Sequence, residues 1–118
     1  MTSFANLPDE GENISQSYPR KIIAEIKPGD ELIQIVAFAR KVNPSYEFVA
    51  DDTTGHISIR GIPDEYHPIQ EGRLYKILGA LSIDGAGATY LEAKVVGDVT
   101  GLNLELYQQS LELLKKIP

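Results

Sequence analysis

The chain has 118 residues, of which 42% are hydrophobic and 24% are charged, and its formal net charge is −6 at pH 7. This length and balance are typical of one globular domain with a core of its own, and the acidic charge excludes a chain-wide basic footprint for nucleic acid. The sequence contains no cysteine, which excludes disulfides, thiolate zinc sites and a cysteine nucleophile.

The N-terminal residues 1–17, MTSFANLPDEGENISQS, are polar, acidic and without hydrophobic periodicity. This composition predicts a flexible acidic tail. A signal peptide is not predicted, because the segment lacks a basic region followed by an apolar stretch. Order is predicted to begin at Tyr18-Pro19-Arg20. The next segment, 21–26, fits either a helical turn or a first strand, and 28–30 forms a turn.

Residues 31–99 carry the pattern of β-strands separated by turns. The first predicted strand, 31–42, is the longest, and the small residues Ala37 and Ala39 on one of its faces indicate curvature or close packing. A Pro- and Gly-rich connector, 61–72, follows the third strand. The other predicted strands are 46–51, 56–60, 73–81 and 88–99.

The order of these elements predicts an all-β fold, a five-stranded Greek-key OB-fold barrel with a C-terminal α-helix. Another small barrel, such as an SH3-like one, is the alternative. The predicted division is a tail (1–17), a barrel (18–102) and a helix (103–118) whose N-cap is predicted to be Asn103. No apolar run approaches the roughly 20 residues of a membrane-spanning helix.

The terminal helix has more apolar side chains than a small domain needs to bury. At about 100° per residue they form two rows roughly 110° apart. The stripe fits a helix that lies entirely on its own barrel, or one that packs one row on the barrel and the other on a partner helix. The first row is Leu104, Tyr107, Leu111 and Leu114; the second row is Leu106, Leu113 and Ile117.

Several of these segments resemble the small subunit of replication protein A, a heterotrimeric single-stranded-DNA-binding complex. The matching segments are YPR (18–20), QIVAFA (34–39), Leu74-Tyr75, and the helix pattern from Leu104 to Leu114. Ala37 stands where that family usually has glycine. Small subunits of telomere-capping and telomerase-associated complexes share the same plan, so a subunit of such a complex is an alternative interpretation of the resemblance.

The resemblance implies an assembly subunit that acts in DNA replication, repair and recombination. In that family the terminal helix joins one helix from each of two larger OB-fold subunits in a three-helix bundle. This implies partner contacts through the first row, with the second row facing the barrel or the bundle edges, although the two rows are interchangeable. Single-stranded DNA would be bound mainly through the complex, and the protein would be nuclear if eukaryotic and cytoplasmic otherwise.

A stand-alone OB-fold that binds single-stranded nucleic acid is the competing hypothesis. OB-folds bind single strands with stacking aromatic residues and a basic groove. The nearby acids Glu47, Asp51 and Asp52 oppose a phosphate backbone, so packing and solvated-surface roles are favoured. The candidate residues are Phe38, Arg40, Lys41, Tyr46, Phe48, Arg60 and Lys76.

The sequence predicts no catalytic constellation, no cofactor site and no metal site. We therefore do not expect the protein to be an enzyme. The histidines His56 and His67 have no partner nearby in sequence. The pair Asp51-Asp52 is explained by a turn before Thr-Thr-Gly. The segment 85–87, Gly-Ala-Gly, is not followed by a helix, as a phosphate-binding loop would be.

Overall fold

The computed structural model describes residues 18–115, which form a closed five-stranded barrel and one α-helix. The strand order around the barrel is β1-β2-β3-β5-β4; β3 and β5 are parallel, and the other neighbours are antiparallel. This is the OB-fold that the sequence predicts. The elements are β1 (Leu32–Arg40), β2 (Phe48–Asp51), β3 (His56–Arg60), β4 (Leu74–Ile83), β5 (Thr89–Asp98) and α1 (Leu104–Lys115).

Strand β1 closes the barrel because it pairs with neighbours on both of its edges. Residues Leu32 to Phe38 pair with β4, and Phe38 to Arg40 pair with β2. Further along the β2-side edge, the start of the described chain pairs with β1 at Gln34. There the Gln34 N–H donates to the Pro19 carbonyl, and the Lys21 N–H donates to the Gln34 carbonyl, both at 2.9 Å.

The barrel interior is filled by the inward-facing residues of all five strands. The small side chains Ala37 and Ala39 are fully buried where β1 changes partner. A Cβ atom on Gly79 would lie 2.5 Å from the Glu92 carbonyl oxygen, so only glycine fits at this bulge between β4 and β5. The largest apolar side chains with less than 2% exposure are Ile33, Ile35, Ile59, Ile77 and Leu91.

Two short 3-10 turns lie in the connecting segments. The first, Ile23–Glu25, resolves the choice left open for residues 21–26 in favour of a helical turn. The second, Asp64–Tyr66, lies in the predicted connector. The buried Asp52 carboxylate ties the first turn to the β2–β3 hairpin, because it accepts hydrogen bonds from the Ile23 N–H at 2.8 Å and the Thr54 N–H at 2.9 Å.

The loop between β1 and β2 is longer than predicted. Lys41 and Tyr46 both have positive φ, 53° and 64°, which ends β1 at Arg40 and delays β2 until Phe48. The Asn43 carboxamide organises this loop by accepting hydrogen bonds from the Ser45 and Glu47 N–H groups at 2.9 Å. The prediction that Tyr46 shares a strand with Phe48 is therefore wrong.

The predicted tail, 1–17, and residues Lys116, Ile117 and Pro118 lie outside the described residues. Within the described part of the chain, no helix has the length and apolar character required to cross a membrane.

Candidate partner and nucleic-acid surfaces

Helix α1 leaves the barrel at a point held by specific hydrogen bonds. The Leu74 N–H donates to the Thr100 hydroxyl at 3.0 Å, and the Val99 N–H donates to the Leu74 carbonyl at 2.8 Å. The Asn103 side chain then caps the helix, because its Oδ1 accepts the Leu106 N–H at 3.0 Å. The sequence prediction of this N-cap is confirmed, and α1 starts in a fixed direction.

Two polar contacts hold the inner side of α1 against the rest of the chain. The Gln108 side-chain amide donates to the Asp52 carbonyl at 2.7 Å, and Lys115 forms an ion pair with Glu25. Hydrogen bonding to Glu25 raises the pKa of Lys115. Both contacts bring the helix to the segment that carries the first 3-10 turn and to the β2–β3 hairpin.

The first apolar row lies mostly on this inner side. Leu111 is buried, and Leu104 and Tyr107 are half-buried. Burial raises the pKa of the Tyr107 hydroxyl. The fourth member, Leu114, is 53% exposed, because on the helical wheel it lies at the edge of the first row nearest to the second.

The second apolar row faces away from the barrel. Leu106 is 58% exposed and Leu113 is 63% exposed. We call these two residues, with Leu114 beside them, the outer leucine row. The preferred assignment from the sequence put the first row at the partner, but three of its members pack within this chain. The exchanged arrangement, which the sequence left open, is the one that leaves leucines exposed on the outer side of the helix.

A second surface crosses the outside of β1, β2, β3 and β5. Register places Arg40 opposite Val49, Val49 opposite Ser58, and Ser58 opposite Tyr90. An arginine lies over an aromatic ring at each end. The Arg40 guanidinium is 5.0 Å from the Phe38 ring centroid, and the Arg60 guanidinium is 4.5 Å from that of Tyr90. Such pairs present a flat cationic surface on which a base can stack.

Acidic side chains partly neutralise this surface. The Arg40 Nε lies 4.0 Å from an Asp51 carboxylate oxygen. An Arg60 guanidinium nitrogen lies 3.1 Å from a carboxylate oxygen of Asp84. Hydrogen bonds from the Ala88 and Ala86 N–H groups lower the pKa of Asp84, with a smaller effect of Arg60. Asp84 therefore stays ionised beside Arg60 and competes with a phosphate for it. A shallow cleft of about 230 Å³, bordered by Lys41, Ser58 and Arg60, runs along this surface.

The remaining nucleic-acid candidates lie elsewhere. Phe48 is in the barrel core and 3% exposed. Tyr46 is half-buried, and its ring lies 4.8 Å from that of His67. Lys76 is exposed, but it pairs with Val36 and lies on the β1–β4 side of the barrel. The structure therefore brings together Phe38, Arg40, Lys41 and Arg60 and separates them from the other three.

Sequence reasoning did not include Tyr90 among the candidates. Strand β5 alternates through Tyr90, Leu91 and Glu92, and Leu91 is fully buried. The alternation alone therefore puts Tyr90 on the outer face. The missing information was that β5 neighbours β3, which brings Tyr90 next to Arg60.

Neither histidine lies in a reactive arrangement. The His67 Nε2 is 3.1 Å from the Ile62 carbonyl oxygen, and its ring packs on Tyr46. His56 is exposed at the start of β3. Among residues 18–115 no three potential metal ligands cluster together. The two surfaces described above are suited to binding.

The sequence model of the Ten1_2 family, described as "Telomere-capping, CST complex subunit", matches residues 48–117. The chain belongs to this family. The matched region begins with β2, includes the rest of the barrel and contains the whole of α1. No curated protein matches the chain with significant sequence similarity.

Solved structures share the fold at low sequence identity. A chain of the S. pombe Stn1–Ten1 complex has a TM-score of 0.69 and 16% identity, over 86% of this chain and 94% of that one. Telomere-capping protein Ten1 from Saccharomyces pombe has a TM-score of 0.63 and 16% identity, over 88% and 94%. A chain of a replication protein A heterotrimer bound to single-stranded DNA has a TM-score of 0.56 and 16% identity, over 78% and 79%.

These comparisons confirm the prediction of a small OB-fold subunit on the replication-protein-A plan. The sequence analysis favoured a subunit for DNA replication, repair and recombination and kept a telomere-capping subunit as the alternative. The comparisons support the alternative better, because the family match is to telomere-capping subunits.

Proposed function

We propose that this chain is the small, non-enzymatic subunit of a CST-type telomere-capping complex and that it binds a larger OB-fold subunit through the outer leucine row. The observation that carries the proposal is the exposure of Leu106 and Leu113 on a helix whose opposite side is anchored to the barrel. Exposed leucines grouped on one ordered face mark an interaction surface more often than scattered ones do.

The spacing of the exposed row favours a helical partner. Leu106 and Leu113 are seven residues apart, which is the repeat by which helices pack side by side. Ile117, at the next position of the second row, extends the pattern in the sequence but lies outside the described residues. The partner is proposed to be an Stn1-like subunit, because Stn1 and Ten1 form a complex in S. pombe. A third, larger subunit would complete a helical bundle.

The polar anchors explain how the row is presented. The Gln108 hydrogen bond and the Lys115 ion pair are both on the inner side, so they orient the helix without covering Leu106 or Leu113. A partner helix therefore meets a preformed surface and does not need to order the helix first. Assembly at telomeres implies that the protein is nuclear in a eukaryote.

Recovery of partners tests this proposal. A tagged full chain would be purified from its native source beside Leu106→Asp/Leu113→Asp, and partners would be identified by mass spectrometry. We expect the wild type to recover a larger OB-fold protein and the variant to lose it, because the interface would bury two unpaired charges. Ile83→Asp is the matched control, since Ile83 is 69% exposed and lies on another element, at the end of β4.

The outcome that contradicts the proposal is equal recovery by the wild type and the helix variant while circular dichroism shows both to be folded. The outer leucine row would then have no part in assembly.

A direct contact with single-stranded DNA is a second candidate function, favoured by the Arg40–Phe38 and Arg60–Tyr90 pairs. Alanine at Tyr90 removes one stacking platform. We expect the purified complex to lose about 1–3 kcal/mol of affinity for an oligothymidylate if the base stacks there. Fluorescence anisotropy at two salt concentrations measures the loss, and Lys76→Ala, on another side of the barrel, is the control. Unchanged affinity of Tyr90→Ala would remove this surface from DNA binding.

A further inference from the structure

A second cleft opens at the end of the barrel opposite to the 61–72 connector. Strand β3 begins at this end, β4 ends there and β5 begins there. The cleft has a volume of about 390 Å³, within the range of binding sites for small ligands and peptide segments. It is separate from the outer leucine row, and it meets the nucleic-acid surface only at Ser58.

The cleft has an apolar floor and a basic rim. Ile26, Ile57 and Leu81 contribute to the floor, and Lys27 and His56 stand at the rim. Lys27 and His56 are both exposed. This combination suits an extended peptide with apolar side chains followed by carboxylates.

The course of the chain brings such a peptide to this end of the barrel. Arg20 forms a parallel bridge with Gln34 of β1. Tyr18 and Pro19, which precede Arg20, therefore run towards the start of β1. That start, Leu32, pairs with Ala80, the neighbour of Leu81 in the cleft floor. Residues 1–17 are thus attached at the end where the cleft lies.

The sequence of residues 1–17 has the matching chemistry. Phe4, Leu7 and Pro8 are followed by the acidic residues Asp9, Glu10 and Glu12, and the segment contains no lysine or arginine. Leu7 and Tyr18 are eleven positions apart. An extended segment of that length reaches up to about 36 Å, which is more than the two shorter extents of the molecule, 34 Å and 30 Å. The segment is long enough to reach the cleft.

We propose that residues 4–12 of this chain dock in the cleft, with Phe4 and Leu7 on its apolar floor and the carboxylates beside Lys27 and His56. The segment is then a bound peptide and not the free tail that its composition alone predicts. The proposal does not depend on the telomere-capping function.

A spin label tests the docking, because the chain has no cysteine and a single introduced one is unique. The full chain with Ala5→Cys would carry a nitroxide, and amide peak intensities would be compared with the reduced label by NMR. We expect a loss of intensity at Lys27, His56 and Thr89, which border the cleft. Adding Leu7→Ser should restore these intensities, because a hydroxyl on the apolar floor opposes docking.

Charge reversal gives an independent second measurement. Lys27→Glu in the labelled chain should also restore the intensities, whereas Lys94→Glu, at an exposed position of β5, should leave the loss unchanged. The proposal is overturned if the label causes no loss at the cleft, or if Leu7→Ser does not restore the intensities. A loss centred on the outer leucine row would also overturn it, because the segment would then bind elsewhere.

Discussion

The barrel and the C-terminal helix differ in how much of their apolar surface they bury within this chain. Each barrel strand contributes buried side chains to one closed core. Helix α1 has a single buried residue, Leu111, among its 12 residues, and three of its leucines are more than half exposed. The barrel is therefore stabilised by its own packing, whereas the helix is held in place by the barrel and leaves an apolar row uncovered, which is the row proposed to bind a partner.

A helix of this length is marginal in isolation, because its nucleation is unfavourable. Its position here depends on the Asn103 cap, the Gln108 hydrogen bond and the Lys115 ion pair. Substitutions in the two regions should therefore have separable effects on folding and on assembly.

The largest effect is expected in the barrel core. Ile35 is fully buried, and Ile35→Ala should lower the free energy of unfolding by about 2–5 kcal/mol through lost burial and a residual cavity. Guanidinium unfolding of the purified chain measures it. Leu113→Ala is the matched control in the helix and should change the free energy by less than about 0.5 kcal/mol. Similar losses for both variants would break the comparison.

A smaller effect is expected at the contact between the two regions. Leu111→Ala should cost about 2 kcal/mol, the low end for a buried leucine, because the helix is free to shift. Hydrogen exchange should then accelerate in α1 and stay unchanged in β1, since only the helix loses its apolar contact. Faster exchange throughout the barrel would mean that the helix is part of the barrel's core.

The smallest effect is expected at Asp98, which precedes the helix and bonds Arg73 and the Thr100 N–H. Hydrogen bonding to Arg73, followed by that to Thr100, lowers the pKa of Asp98 to about 2. The lowered pKa adds stability above the unfolded value of about 3.9, and this is lost as the pH falls towards 2. Because the pair is exposed, Asp98→Asn should cost under about 1 kcal/mol at pH 7.

Urea unfolding at pH 7 and at pH 3 measures this dependence. The difference between wild type and Asp98→Asn should shrink at the lower pH. An equal difference at both values would show that the Asp98 charge contributes nothing to folding.

Local patterns predicted most of the fold. Strand β3 has the predicted bounds, and the residue that caps α1 is the predicted Asn103. Turn chemistry and period-two alternation depend on neighbouring residues, so they are visible in the sequence. The positive φ of Tyr46 left no such signal, because its neighbours also fit a strand.

The surfaces were harder to predict because they depend on contacts between distant residues. The orientation of α1 depends on Gln108 with Asp52 and Lys115 with Glu25, which are 56 and 90 positions apart. A helical wheel gives the angle between two apolar rows but not the direction of the barrel. The wheel therefore gave no sign that Leu104, Tyr107 and Leu111, the row that the resemblance assigned to the partner, pack inward in this chain.

The central claim is that the outer leucine row binds a larger OB-fold subunit, and the affinity of that contact tests it most directly. Isothermal titration calorimetry would measure the affinity of the partner, as recovered by the wild-type chain, first for the wild-type chain and then for Leu106→Asp/Leu113→Asp. We predict a loss of at least about 100-fold, equivalent to roughly 2.7 kcal/mol, with an unchanged unfolding midpoint of the free chain. Equal affinities for the two proteins would contradict the account.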